Sequence, residues 1–372
     1  MPYCHAPCTN IDISPQGNIS PCCKFQTQHY SEQFDIQKHS IQDYVQSDFL
    51  KQVQKEFENN QWPQGCDRCR IEEEHNILSK RQLDQERWQV PYNEYNSSKG
   101  FITASVAFGN TCNLTCITCN PRSSSRWQVE HKQITGVDVR PFHFYKQNFV
   151  RDFVQSAPNL VHVDIPGGEP FLSGVNEQQS LLTHYIDTTQ SQNITLHYTT
   201  NATLFPDHTW WDLWQHFKEV DIQISVDGLD KKYEYIRYPA KWNTFESVVQ
   251  QYLSHSQSNL RLSVSHTVSA YNVYYLDEFF EWAQNTGLPT PWLGRVHTPA
   301  HMRPSVWTPL ARETIVQKLQ NSKHADVRIW AEMIRTTNDS DQFELFRSRL
   351  HQHDEFRKLN FATVFPEMAK FI

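Results

Sequence analysis

From residue 101 onward, short apolar runs alternate with longer amphipathic stretches. The runs 101–108, 160–165, 194–199, 220–226, 260–268 and 292–296 read as strands. Between them, helices are predicted to begin at 124–131 and to cover 177–188, 210–218, 245–255 and 271–284. Strands alternating with helices imply parallel βα units. Such units spread over residues 100–300 predict an α/β fold, a partial (β/α)6 barrel of open form. Residues 305–360 are amphipathic and helical, and a C-terminal helical extension over 301–372 is expected to pack outside the barrel.

The chain before residue 101 has a different texture. Residues 10–15 alternate as a short strand, and Gln16-Gly17 forms a turn leading back towards Cys22. Residues 41–58 read as one helix with Tyr44, Val45, Phe49, Leu50, Val53 and Phe57 on a recurring face. Residues 72–90 read as a polar, exposed helix, and 91–100 as a linker rich in Asn and Ser. The expected division is therefore a Cys-rich module over 1–95, the barrel over 100–300, and the extension over 301–372.

Length and composition narrow the class. A chain of 372 residues predicts two or three domains and can bury a core without disulfide staples. A formal net charge of -7 argues against generic nucleic-acid binding or an anionic membrane surface. Hydrophobic residues at 38% and aromatics at 13% exclude a disordered chain. No transmembrane helix is expected, because no apolar run is long enough. The start, Met1 to His5, lacks the charged and apolar regions of a signal peptide.

The nine cysteines change the picture most. Their number is odd and none follows Cys119, which fits reduced thiols and a cytoplasmic location better than a secreted disulfide scaffold. The sequons at Asn113, Asn193 and Asn201 are then chance matches. Clustered thiols are soft ligands that select zinc, copper(I) or iron–sulfur clusters. Cys112, Cys116 and Cys119 form a CxxxCxxC triplet just past the first predicted barrel strand. A zinc knuckle would need a fourth ligand at finger spacing, and none follows. Three thiolates can instead hold three corners of a cubane cluster that normally takes four cysteines, leaving one iron open. Gly167-Gly168-Glu169, Asn201 and Asp227-Gly228 also fall at predicted strand ends, where ligands sit in such folds.

On these residues the sequence resembles the radical SAM superfamily. The resemblance covers about residues 100–300. It implies a [4Fe-4S] cluster on Cys112, Cys116 and Cys119, with S-adenosylmethionine (SAM) on the open iron. Gly167-Gly168-Glu169-Pro170 is similar to the family's GGE segment, which meets the methionyl amino group; Glu169 would offer that ammonium a charge-assisted hydrogen bond. Ser225-Val-Asp227-Gly228 is similar to a segment that ends the fourth strand in peptide-modifying members. The implied chemistry is reductive cleavage of SAM to a 5′-deoxyadenosyl radical, which abstracts hydrogen from a substrate. One position departs from the pattern: Thr118 stands where the family usually has an aromatic before the third cysteine. In the N-terminal stretch, Gly17-Asn-Ile-Ser-Pro-Cys22 and Cys66-x-x-Cys69 are similar to parts of the auxiliary-cluster modules called SPASM and twitch, which usually follow the barrel. The implied auxiliary iron–sulfur cluster takes Cys4, Cys22, Cys66 and Cys69, with Cys8 and Cys23 as substitutes or extra ligands. A four-cysteine zinc site is the competing reading.

Several residues carry two readings. Asn201 is a ligand contact or a helix cap, and Ser225 a SAM contact or a polar strand end. Asp227 is a SAM contact or a turn residue, and Arg237 more naturally forms a structural salt bridge. His266 and Thr267 are weak candidates for ribose contact. His351 and His353 do not share a helix face and are discarded as a metal pair. Trp210, Trp211 and Trp214 read as core. By resemblance the substrate is a peptide or protein, undergoing crosslinking, epimerisation or oxidation, with an electron donor such as flavodoxin or ferredoxin. Modification of a small metabolite and a non-catalytic iron–sulfur or zinc protein are the alternatives.

Overall fold

The computed structural model describes residues 3–74, 78–89, 100–139 and 148–372. Most of the linker expected at 91–100 lies outside the described residues. The chain divides into two compact units. One comprises Met1–Thr111, Pro141–Thr199 and Pro206–Asp221; the other comprises Cys112–Arg140, Thr200–Phe205 and Ile222–Ile372. The Cys-rich stretch thus shares a unit with the first βα strands, and the C-terminal helices share one with the last.

In the first unit the strands are β1 (Asn10–Ile13), β2 (Asn18–Ser20), β3 (Phe34–Asp35), β4 (Thr103–Val106), β5 (His162–Ile165) and β6 (Thr195–Thr200). They run in the order β3-β2-β1-β4-β5-β6. The first three pair antiparallel, while β1, β4, β5 and β6 are parallel. The Gly17 turn returns the chain as expected, with a φ of 82 that favours glycine. β1 is the strand expected at 10–15, but its parallel pairing with β4 joins segments some ninety residues apart, beyond the reach of local periodicity.

The parallel strands have two unlike faces. Register puts Ile11, Ala104, Val163 and Leu196 in one row, with Ile13, Val106, Ile165 and Tyr198 further along the same face. These side chains are buried. The helices Phe149–Ser156, Val175–Asp187 and His208–Trp214 bury Phe153, Leu181, Tyr185, Trp210 and Trp214 in the same unit. Tyr198 packs on Trp214 with ring centroids 5.1 Å apart and accepts its indole N–H at 3.3 Å, so Trp210 and Trp214 are core, whereas Trp211 is half-buried and donates to the Pro206 carbonyl at 2.9 Å. The opposite face is polar: Asp12, Ser105, Asp164 and His197 stand side by side on four adjacent strands. A lipophilic core cannot form there, and such a face suits the lumen of a βα barrel.

Two predicted helices are each broken by a serine. The helix expected over 41–58 is Ile41–Gln46 followed by Asp48–Glu58. Ser47 ends the first by donating to the Tyr44 carbonyl at 2.7 Å and caps the second by accepting from Leu50 N at 3.1 Å. The helix expected over 72–90 is instead Asp67–Glu74 and Lys80–Trp88, the latter opened by a Ser79–Gln82 capping box. Nor is it wholly exposed, since Ser79 is buried and Lys80 and Asp84 keep only 28% and 20% of their side-chain surface.

The strand β7 (Glu219–Ser225) crosses the boundary between units. In the second unit β8 (Leu260–Val268) pairs parallel with β9 (Trp292–Arg295). Trp242–Ser254 and Leu276–Thr286 bury apolar faces there, as do Pro309–Gln320, Ala325–Thr336 and Phe343–Arg357. Trp307 anchors this core, packing on Phe346 and donating to the Ala270 carbonyl at 3.0 Å. Among the described residues no helix is long and apolar enough to cross a membrane.

The polar face makes one stability prediction. Burial pushes the Asp12 carboxyl up to about 6, against the lowering effect of the Ser105 and Ser20 hydroxyls and of Lys80. A folded value above the unfolded one means the penalty is full above pH 6 and fades as pH falls towards the ordinary carboxylate range. Asp12→Asn should therefore raise the thermal midpoint at pH 8 by at least about 2 °C, with the gain shrinking below pH 6. Thermal unfolding followed by circular dichroism across pH checks this.

Candidate functional site

Four of the nine cysteines meet in the first unit. Cys4 precedes the short helix Ala6–Thr9, Cys22 follows β2, Cys66 ends a turn of 3-10 helix, and Cys69 lies in the helix Asp67–Glu74. All four line one pocket, together with Ala6, Phe25, Phe57 and Trp62. Lys24, Lys80, Arg81 and Asp84 complete its wall. Cys8 and Cys23 are not among the lining residues. Gly65 is needed for this packing, because a Cβ there would meet the Phe25 ring at 2.4 Å. No disulfide joins any of the nine thiols. Burial pushes the Cys4 thiol up to about 12, with Cys69 adding to the effect, and raises Cys22 and Cys66 strongly as well. With their pKa values raised by burial, these thiols hold their protons at neutral pH. The four line a common wall rather than converging on a point; among the described residues no three His, Cys, Asp or Glu groups converge for a single ion.

The Cys112–Cys119 loop belongs to the second unit, and its own backbone is spoken for. Leu114 and Ile117, between the cysteines, are buried. Thr115 N donates to the Tyr238 carbonyl and Ile117 N to the Ile236 carbonyl, each at 2.7 Å. The Leu114 carbonyl accepts from Ser124 Oγ at 2.6 Å, and the Cys116 carbonyl from the Trp127 indole at 2.9 Å. Arg357 donates to the Thr115 carbonyl at 2.7 Å. Its guanidinium is fixed by both oxygens of buried Glu130, at 2.9 and 3.0 Å, and lies over the Trp127 and Tyr238 rings. His353 shares Glu130 at 2.6 Å. Neither Arg357 nor Glu130 was singled out by the sequence. The signal was faint: His353 and Arg357 continue the buried stripe of Phe343, Phe346 and Leu350 along their helix.

Of the other predicted residues of this unit, Asn201 and the Asp227–Arg237 pair lie by the loop. Asn201 Nδ2 lies 3.9 Å from Cys112 Sγ and 2.9 Å from Asn113 Oδ1, and its Oδ1 accepts from Thr203 N at 2.9 Å. Asp227 is fully buried; it pairs with Arg237 at 2.7 Å and accepts from Thr267 N at 2.7 Å. Arg237 is a structural salt-bridge partner, as its chemistry favours. Burial pushes Cys116 up, and the Arg237 charge opposes that rise. Burial likewise pushes Cys119 up to about 11. Ser225 Oγ lies 3.3 Å from Ser265 Oγ. His266 is buried against Phe279, with ring centroids 4.2 Å apart.

Gly167-Gly168-Glu169 follows β5 in the first unit and packs on the loop after β4. Gly168 N donates to the Gly109 carbonyl at 3.3 Å, and Glu169 N to the Thr111 carbonyl at 2.8 Å. A Cβ on Gly168 would sit 2.1 Å from the Thr111 oxygen. Gly167 has a φ of 145, with a Cβ position 3.0 Å from the Gly109 oxygen. These glycines thus permit backbone to approach backbone. Glu169 is fully buried.

Comparison with known proteins adds the following. Residues 4–70 match the SPASM family model, an iron-sulfur cluster-binding domain. No curated protein matches the chain. Among solved structures it is similar to "Native anSMEcpe with bound AdoMet", at 15% identity and a TM-score of 0.45, covering 59% of this chain and 58% of that one. It is also similar to "Native anSMEcpe with bound AdoMet and Kp18Cys peptide", at 15% identity and a TM-score of 0.40, covering 53% and 52%. For "Crystal structure of Streptococcus suis SuiB bound to S-adenosylmethionine" the values are 12% identity, 0.36, and coverage of 96% and 73%. The chain spans about half the length of the first two structures.

Gly168→Ala should cost far more than Gly136→Ala, whose Cβ would meet nothing within 4 Å. We expect a loss of about 3 kcal/mol or more for the former and about 1 kcal/mol for the latter, measured by urea unfolding. Equal losses would show that the contact at Thr111 yields freely.

Proposed function

We propose that this chain is a radical SAM enzyme with an N-terminal auxiliary iron–sulfur cluster. The observation that carries the reading is the loop of Cys112, Cys116 and Cys119. It presents three thiols while its neighbouring backbone groups are bonded elsewhere. The donor set fits an iron–sulfur cluster with one open iron. The SPASM match supports the second cluster, because it falls on the stretch whose Cys4, Cys22, Cys66 and Cys69 share a pocket. When bound, the [4Fe-4S] cluster and SAM together supply the 5′-deoxyadenosyl radical that takes hydrogen from substrate.

The chain's own residues then divide the work. Cys112, Cys116 and Cys119 hold the SAM-binding cluster. Gly167 and Gly168 fix the turn that carries Glu169, whose carboxylate suits the methionyl ammonium. Asn201 and Ser225 contact SAM. Asp227 holds Arg237 beside Cys116, where the guanidinium offsets thiolate charge. Residues 1–95 act as the auxiliary module, 100–300 as the catalytic barrel and 301–372 as a helical extension that includes the Arg357 support. The substrate class is a peptide or protein, in keeping with the resemblance to auxiliary-cluster families. A flavodoxin or ferredoxin type of donor would supply electrons, and the reduced thiols fit the cytoplasm.

The anaerobically reconstituted protein, given SAM and dithionite, should form 5′-deoxyadenosine. In Cys116→Ala this should fall at least tenfold, while iron and sulfide persist in the N-terminal pocket. Equal 5′-deoxyadenosine formation by Cys116→Ala would overturn the reading.

A further inference from the structure

The wall of the four-cysteine pocket is more cationic than the chain as a whole. Lys24, Lys80 and Arg81 line it, against one carboxylate, Asp84. The three cations are not equivalent. Lys24 meets both oxygens of Glu72, at 2.7 and 2.9 Å. Arg81 forms a fork with Glu73, at 2.8 and 2.6 Å, and spends its remaining nitrogen on the Tyr3 carbonyl at 2.6 Å. Glu72 and Glu73 are not among the lining residues, so these pairs are anchored behind the wall. Lys80 differs. It is paired at 2.6 Å with Asp84, which itself lines the pocket one helical turn on. Its helix is pinned at that point by the Ser79 capping box, and the side chain is mostly covered. The ammonium therefore has a fixed position within a wall that water reaches poorly, where charge acts strongly.

An iron–sulfur cluster with four thiolate ligands is an anion, and reduction adds one more negative charge. A fixed cation beside it favours the reduced form and raises its potential, while a neighbouring carboxylate does the reverse. We infer that Lys80 is a positioning residue that raises the reduction potential of the cluster held by Cys4, Cys22, Cys66 and Cys69, with Asp84 tempering it. This rests on the assignment of an iron–sulfur cluster to that pocket. Lys80 acts through charge and is not a ligand, so its effect reverses in sign between the two members of the pair. A purely structural role for the Lys80–Asp84 contact predicts no such reversal.

The test uses the whole 372-residue chain carrying Cys116→Ala, in which the auxiliary cluster is the one under observation. Its midpoint potential is read by potentiometric titration monitored by electron paramagnetic resonance. Lys80→Met should shift the potential negative, Lys80→Arg should leave it near the parent value, and Asp84→Asn should shift it positive. If Lys80→Met takes up no cluster, the sign of the Asp84→Asn shift decides. Unchanged potentials in Lys80→Met and Asp84→Asn, or shifts of the same sign, would overturn the inference. A parent protein without iron and sulfide would instead overturn the cluster assignment beneath it.

Discussion

A loop that offers three thiols to a metal must have its own peptide groups satisfied elsewhere. In this chain that constraint is met by side chains and main-chain carbonyls from outside the loop. Arg357 holds the Thr115 carbonyl and Trp127 the Cys116 carbonyl, while the Ile236 and Tyr238 carbonyls take the amides of Ile117 and Thr115. Buried Glu130 orients Arg357, so the loop's geometry depends on an ion pair spanning 227 residues of sequence. Such a pair is costly to desolvate and costly to break, which suits an element that must hold one conformation. The helix Phe343–Arg357 is thereby part of the support for the loop.

The two glycines after β5 show a related economy. Their lack of side chains lets the β5 loop lie directly on the backbone of Gly109–Thr111, the last residues before Cys112. One close approach thus ties the Glu169 backbone to Thr111 within the first unit. On the parallel strands themselves, one face is given to helix packing and the other to Asp12, Ser105, Asp164 and His197. The first makes the unit stable, and the second leaves a polar surface that no core requirement explains.

Much of this was legible in the sequence. The strands from β4 to β9 each fall on a predicted run, with β6 and β7 overstepping theirs by one residue at Thr200 and Glu219, because period and flanking turns are local signals. Cys4, Cys22, Cys66 and Cys69, the ligand set proposed for the auxiliary cluster, line one pocket, and Cys8 and Cys23 are not among its lining residues. The breaks at Ser47 and Ser79 were missed, since a polar residue inside an amphipathic stretch looks alike whether it faces solvent or caps a helix. The parallel pairing of β1 with β4, the Glu130–Arg357 network and the Lys80–Asp84 wall were missed for a deeper reason. Each is a contact between distant segments, and charge in a sequence carries no mark of burial.

The most direct measurement of the central claim is the Mössbauer spectrum of oxygen-free protein reconstituted with iron-57, recorded with and without SAM. The account predicts that a single iron of one cubane changes its isomer shift as SAM binds, while a second cluster stays unaltered. An iron spectrum indifferent to SAM, or a triplet that retains only zinc, would contradict it.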